Sequence, residues 1–279
     1  MPDLVEQMYC SQQIHIPPTF PFILKQYAKA AIRTQPYDLL RWSASYFRAM
    51  AQGEEPPVKV RLEYPPLDTP SGLSPGYLKV LLKQIGNVKT VPAEVLHQKW
   101  QGICLNENAL NEMLKLGGFS DDVDWLKFVA IAAGHLTKSL TQTMYLICEL
   151  LTEEPEGGSD MIPFETFKEL YIFLAELDCG SGDESEGENK EEVAEAEAGS
   201  PEATQEKSES EADETEEVKS ATPKDGPNIP GIGPAVPDAQ IQSVLKYLEY
   251  WAERQSGMVM PRNIHHFLCP SLDKVPVSE

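Results

Sequence analysis

The chain has 279 residues, 44 of them Asp or Glu against 23 Lys or Arg, for a formal charge of -21. Length allows one or two domains, and so acidic a balance excludes an electrostatic binder of nucleic acid or of an anionic membrane surface. Residues 180–226 alone hold 17 acidic and 4 basic side chains, so one tract carries most of the excess.

In chain order the first signal is a short arm. Ile14 and Ile16 alternate with His15 and then meet Pro17 and Pro18, which puts both Ile side chains on one face of an extended segment. From Phe20 to Ile32 the apolar residues at 20, 23, 24, 27, 28 and 31 predict an amphipathic helix. Gln35-Pro36 ends it, because the residue before Pro avoids the helical region. Pro36 then suits the first turn of a second helix, with Leu39, Leu40, Ala44 and Phe47 spaced for one face. A hairpin this small cannot bury both stripes, which predicts dimerisation into a four-helix bundle. Small Ala28, Ala30 and Ala31 would leave a shallow surface between the first helices of two copies, where a partner's amphipathic helix could lie beneath the Ile14 and Ile16 arms.

Residues 54–74 form a connector with Pro56, Pro57, Pro65, Pro66 and Pro70; it cannot continue a helix and reads as a semi-extended spacer behind a separate module, residues 1–53. Residues 75–178 predict helices over Gly76 to Gln84, Ala93 to Trp100, Glu107 to Leu116, Asp121 to His135, Lys138 to Leu151 and Phe164 to Leu177. Residues 179–237 read as a disordered acidic and Pro-rich insertion, since larger aliphatic and aromatic residues are nearly absent from the acidic tract. Within it Ser185, Ser208 and Ser210 suit acidophilic kinases, and Ser200-Pro201 and Thr222-Pro223 suit proline-directed ones. Residues 238–272 return to a helical stripe of Ile241, Val244, Leu245, Leu248 and Trp251 that completes the helical domain.

A weak repeat links Val91-Pro92-Ala93, Ile162-Pro163-Phe164 and Met260-Pro261-Arg262: an apolar residue, Pro, then a helix start. Two readings fit, a helix with Pro in its first turn or a degenerate EF-hand used for packing. With Ile162 or Val259 at the eighth loop position, the ligand positions fall on Pro155, Gly157, Ser159 and Thr166, or on Ala252, Arg254, Ser256 and Asn263. None is a carboxylate, so calcium binding through the usual loop is excluded at these sites.

No Walker loop, Gly-x-Ser-x-Gly or Gly-x-Gly-x-x-Gly is present, and Gly231-Ile232-Gly233-Pro234 reads as a loop rather than a phosphate cradle. The reading is non-enzymatic, with no catalytic residue, cofactor or metal. Adjacent His265 and His266 point to different sides and lack a partner at ligand spacing, while His135 reads as a helix C-terminal cap. The five cysteines, odd in number and without a C-x-x-C pair, predict a reduced cytoplasmic setting, and no apolar run is long enough to span a membrane.

The Ile-x-Ile-Pro-Pro opening, the helix ending in Arg33-x-Gln35-Pro36, and the spacing from Asp38-Leu39 to Tyr46-Phe47 resemble the dimerisation and docking domain of the type II regulatory subunit of cyclic-AMP-dependent protein kinase. There the domain is an X-shaped four-helix dimer that holds the amphipathic helix of an A-kinase anchoring protein. The resemblance implies that Ile14 and Ile16 flank the bound helix and that Leu24, Lys25, Ala28 and Ile32 line the groove floor. It assigns Phe20, Ile23, Tyr27, Leu39, Leu40 and Phe47 mainly to the dimer core. Beyond the hairpin, Leu24 to Arg33, Trp125-Leu126-Lys127-Phe128, Cys148-Glu149-Leu150-Leu151 and Ile162-Pro163-Phe164-x-x-Phe167 resemble the ropporin and ropporin-like family of sperm flagella and ciliary radial spokes. That resemblance implies an all-α docking or scaffold protein of the axoneme, forming a homodimer or a heterodimer with a related protein. Its partner would be an A-kinase anchoring protein or a spoke stalk protein. The acidic tract is an insertion relative to the family pattern. The competing expectation is an EF-hand-like, calcium-responsive adaptor.

Overall fold

The computed structural model describes residues 16–65, 69–155, 157–180 and 228–275. Ile14 and the acidic stretch 181–227 lie outside the described residues, and with them the expected docking contact of that Ile and the expected disorder of that stretch.

Two helices open the fold, α1 (Phe20–Thr34) and α2 (Leu39–Gln52). The first ends at Gln35, which takes a left-handed conformation (φ 47°) while its N–H still reaches the Ala31 carbonyl. Pro36 does not begin the second helix, contrary to the sequence reading. Asp38 does, because its carboxylate accepts the Arg41 N–H at 2.9 Å and so satisfies a donor that Pro36 would leave orphaned. Gly53, at φ 71°, closes α2.

The body follows as α3 (Pro75–Ile85), β1 (Thr90–Pro92), α4 (Ala93–Gly102), α5 (Glu107–Leu116), β2 (Asp122–Asp124), α6 (Trp125–Gly134), α7 (Leu140–Leu151), β3 (Ile162–Pro163), α8 (Phe164–Glu176), α9 (Asp238–Arg254), β4 (Met258–Val259) and α10 (Pro261–Ile264). The protein is mainly helical, as expected, and the helices predicted in the body are present. One start differs. Residues 122–124 are not the first turn of a helix but a strand antiparallel to β1, with Val91 opposite Val123. The strand β3 pairs with β4 in the same way, Ile162 opposite Val259.

Each ladder therefore joins two helix–strand–helix units through a pair of buried apolar residues. In the second pair, Asp160 (φ 53°) and Gly257 (φ 80°) make the same left-handed turn two residues before those apolar positions. Pro92 and Pro163 sit at the helix cap rather than in the first turn, whereas Pro261 opens α10. The unit built on β2 has no Pro, and there Asp124 caps α6 by accepting the Lys127 N–H.

One continuous core runs from Leu73 to Leu272 and includes the fully buried Trp100, Trp125, Phe128 and Phe167. The expected disorder of residues 179–237 does not extend to either flank, since Cys179 and residues 229, 232 and 236 are buried in this core. The Cys179 N–H donates to Gly233, the Ile229 N–H to Cys179 and the Val236 N–H to Ala175, at 2.9, 3.0 and 2.9 Å, so both ends of the insertion are fastened to each other. Gly231, read from sequence as part of a loop, is wedged against α6. A Cβ there would meet the Gly134 carbonyl at 2.1 Å, and its own carbonyl accepts a hydrogen bond from Thr143.

Candidate docking surface

The N-terminal hairpin divides its apolar residues between two faces. Facing inward, Ala30 and Thr34 of α1 and Trp42, Tyr46 and Ala49 of α2 are buried. The Trp42 indole N–H donates to the Pro57 carbonyl at 2.8 Å. Its ring lies 5.9 Å from that of Tyr27 and 5.3 Å from that of Tyr46, forming a cluster completed by Val58 and Cys104. Ala30 therefore does not help form the shallow outer surface expected of it. The inward side chains of α2 were not singled out from sequence, although Trp42, Tyr46 and Ala49 fall at i, i+4 and i+7.

Facing outward, Phe20, Leu24, Ala28 and Ile32 follow one another at four-residue intervals along α1, and all are exposed. Four-residue spacing drifts slowly around a helix, so these side chains make one oblique strip. On α2, Leu39, Leu40 and Phe47 are also exposed, Leu40 at 83 % and Ile32 of α1 at 67 %. Lys25 is exposed beside the α1 strip, and Ile16 precedes it, also exposed. Ile23 and Tyr27 are half-buried. Tyr27 bonds to Ser43 Oγ at 2.6 Å and stacks on Phe47 at 5.1 Å, so it belongs in part to the interior of the hairpin itself.

The connector lies along the body instead of spacing the hairpin away from it. Lys59, only 8 % exposed, donates its backbone N–H to Thr34 Oγ1 at 3.2 Å and places its ammonium 2.5 Å from Glu63 and 3.8 Å above the Tyr77 ring. Glu63 also accepts from Ser74 Oγ at 2.7 Å and from the Gly76 N–H at 2.6 Å, and the Tyr77 hydroxyl donates to the Thr34 carbonyl at 3.3 Å. Burial pushes Tyr77 up to about 12. Burial also works to raise Glu63, but the bonds from Lys59, Ser74 and Gly76 outweigh it and hold its carboxyl below the ordinary 4.5.

A lowered folded-state pKa means that the stabilisation is complete above about 4.5 and is lost as pH falls through the lowered value. Glu63→Gln is expected to cost about 2 kcal/mol at neutral pH and to flatten the acid limb of the stability profile, measured by chemical denaturation between about pH 3 and 7.

Family models match the chain in three consecutive parts: the Ropporin N-terminal domain over residues 1–54, the Ropporin middle domain over 76–138 and the Ropporin C-terminal domain over 139–192. The chain belongs to the ropporin family. It is thus a ropporin-type protein, of a family associated with the sperm flagellum and with partners of the A-kinase anchoring type, and generally non-catalytic. The ropporin N-terminal match spans α1 and α2, and the ropporin middle match spans the unit pair joined by β1 and β2. The ropporin C-terminal match covers α7, β3 and α8, whose partner unit, α9 to α10, lies beyond residue 192.

In the loop before β3, Glu154 accepts the Ser159 N–H at 2.7 Å, and its bonds from Ser159 and from neighbouring backbone N–H groups outweigh desolvation to hold its pKa below the ordinary value. No group of three or more His, Cys, Asp or Glu is gathered for a metal among the described residues. His265 stacks on Tyr145 at 4.4 Å and His266 on Phe267 at 4.6 Å, so the two rings point apart. His135 stands at the C-terminal cap position of α6, as read from sequence, but the bond there is its backbone N–H to the Ile131 carbonyl at 3.2 Å, and burial lowers the pKa of its ring. Among the described residues no helix is long and apolar enough to cross a membrane.

Proposed function

We propose that this protein is a non-enzymatic docking scaffold of the radial spoke or fibrous sheath in cilia and flagella. It dimerises through α1 and α2 and holds the amphipathic helix of an A-kinase anchoring protein or of a spoke stalk protein, in support of motility and cyclic-AMP signalling. One observation carries the reading: the outward strip of Phe20, Leu24, Ala28 and Ile32 on α1, and Leu39, Leu40 and Phe47 on α2, are left exposed on a hairpin whose other face is already filled. Apolar side chains exposed in such number on two helices call for a cover. Pairing of two hairpins supplies it for α2 and part of α1. The small Ala28 leaves room beside Leu24, Lys25 and Ile32 for a third helix, with the Ile14 and Ile16 arms closing over it.

Sedimentation of the full chain at micromolar concentration is expected to give a dimer, and calorimetric titration with an anchoring-helix peptide to saturate at one peptide per two chains. A monomer that takes up no peptide would sink the proposal.

A further inference from the structure

The charges of the hairpin specify more about its partner than its apolar strip does. Residues 16–53 carry five basic side chains, Lys25, Lys29, Arg33, Arg41 and Arg48, against the single acid Asp38, in a chain whose formal charge is -21. Asp38 is engaged as the cap of α2, and Arg41 already faces Glu107 at 3.7 Å. Lys25 and Lys29 are exposed and form no ion pair among the described residues.

Their position follows from helix geometry. At about 100° per residue, Lys25 and Lys29 sit next to the strip of Phe20, Leu24, Ala28 and Ile32, on the side away from half-buried Ile23 and Tyr27, whereas Arg33 turns toward the connector and donates to the Val60 carbonyl at 3.3 Å. The strip is thus bordered by the hairpin's own core on one side and by cations on the other. When two copies pair, the symmetry of the dimer puts one such pair of cations on each edge of the shared groove. Neither α1 contributes an acid to offset them.

We propose that the helix seated in this groove is flanked by acidic residues: its apolar stripe is bordered by Asp and Glu, which meet Lys25 and Lys29, and helices bordered by Lys or Arg are rejected. The inference rests on the docking reading above and names the class of partner that the docking site selects. Apolar contact supplies affinity for many amphipathic helices, whereas rim charges decide which encounters are productive and penalise like-charged competitors.

The test uses the full chain and three synthetic peptides of about five helical turns. All share one Leu, Ile and Ala stripe and carry Glu, Gln or Lys at the flanking positions. By fluorescence anisotropy at about 0.05 M salt, the Glu peptide is expected to bind about tenfold more tightly than the Gln peptide, with the Lys peptide weakest. The differences should shrink at about 0.5 M salt. The double variant Lys25→Glu, Lys29→Glu should reverse the order of the Glu and Lys peptides. Equal, salt-insensitive binding of all three peptides would overturn the charge selection and leave docking intact. Failure of all three to bind would overturn both.

Discussion

Ala28→Asp is expected to reduce binding of an anchoring helix by more than about a hundredfold while leaving the fold unchanged. The two halves of that expectation have separate physical grounds. In the free protein Ala28 is exposed on α1, so a carboxylate there stays hydrated and costs the helix only the small propensity difference between Ala and Asp. In the complex the same carboxylate would be pressed under an apolar helix without a partner, and burying an unpaired charge costs roughly 3 kcal/mol or more even after relaxation. Circular dichroism and sedimentation should match the unsubstituted protein, and calorimetry with the peptide should show no heat. Binding within a factor of about three of the parent would remove Ala28 from the interface.

Trp42→Ala should have the largest effect on stability within the hairpin, about 3–5 kcal/mol. The substitution opens a cavity among Tyr27, Tyr46 and Val58 and also strands the Pro57 carbonyl that the indole N–H satisfies at 2.8 Å. The loss is expected to be local. Trp42 belongs to a small cluster distinct from the main core, so amides of α1 and α2 should exchange much faster while those of α6 and α8 keep their protection. Uniform loss of protection across the chain would mean that hairpin and body unfold as one cooperative unit, which this division of the core does not predict.

Period and punctuation made most helices legible from sequence. The body helix Glu107–Leu116 was bounded correctly by Asn106 before it and the Gly117-Gly118 pair after it. The missed element has a physical reason as well. The unit containing Val123 lacks the Pro that marks its three relatives, because Asp124 caps α6 with a side chain where they use a fixed φ, and an Asp ahead of an apolar run reads as a helix start either way. Strand pairing of so few residues leaves no alternation to detect.

In the hairpin, periodicity located the stripe but not its division. Ile23, Tyr27 and Ala31 lie between the outward strip and the buried Ala30 and Thr34, and no count of apolar positions separates two neighbouring faces of one helix. The connector was harder still. Its prolines correctly exclude a helix, but the contacts from Lys59 and Glu63 to residues on both sides depend on tertiary proximity, to which local sequence gives no access.

The latch of Lys59, Glu63 and Tyr77 bears on mechanics as well as on stability. A hairpin on a slack tether would swing freely and dissipate any pull exerted on it. Here the Trp42 bond to Pro57 and the Thr34 bonds to Lys59 and Tyr77 tie α1 and α2 to the core through side chains at short range. If the outer strip docks a partner as proposed, force applied there would reach the body with little lost travel. On the docking reading, softening this joint would lower the force passed from a bound partner to the body before it lowered the affinity for that partner.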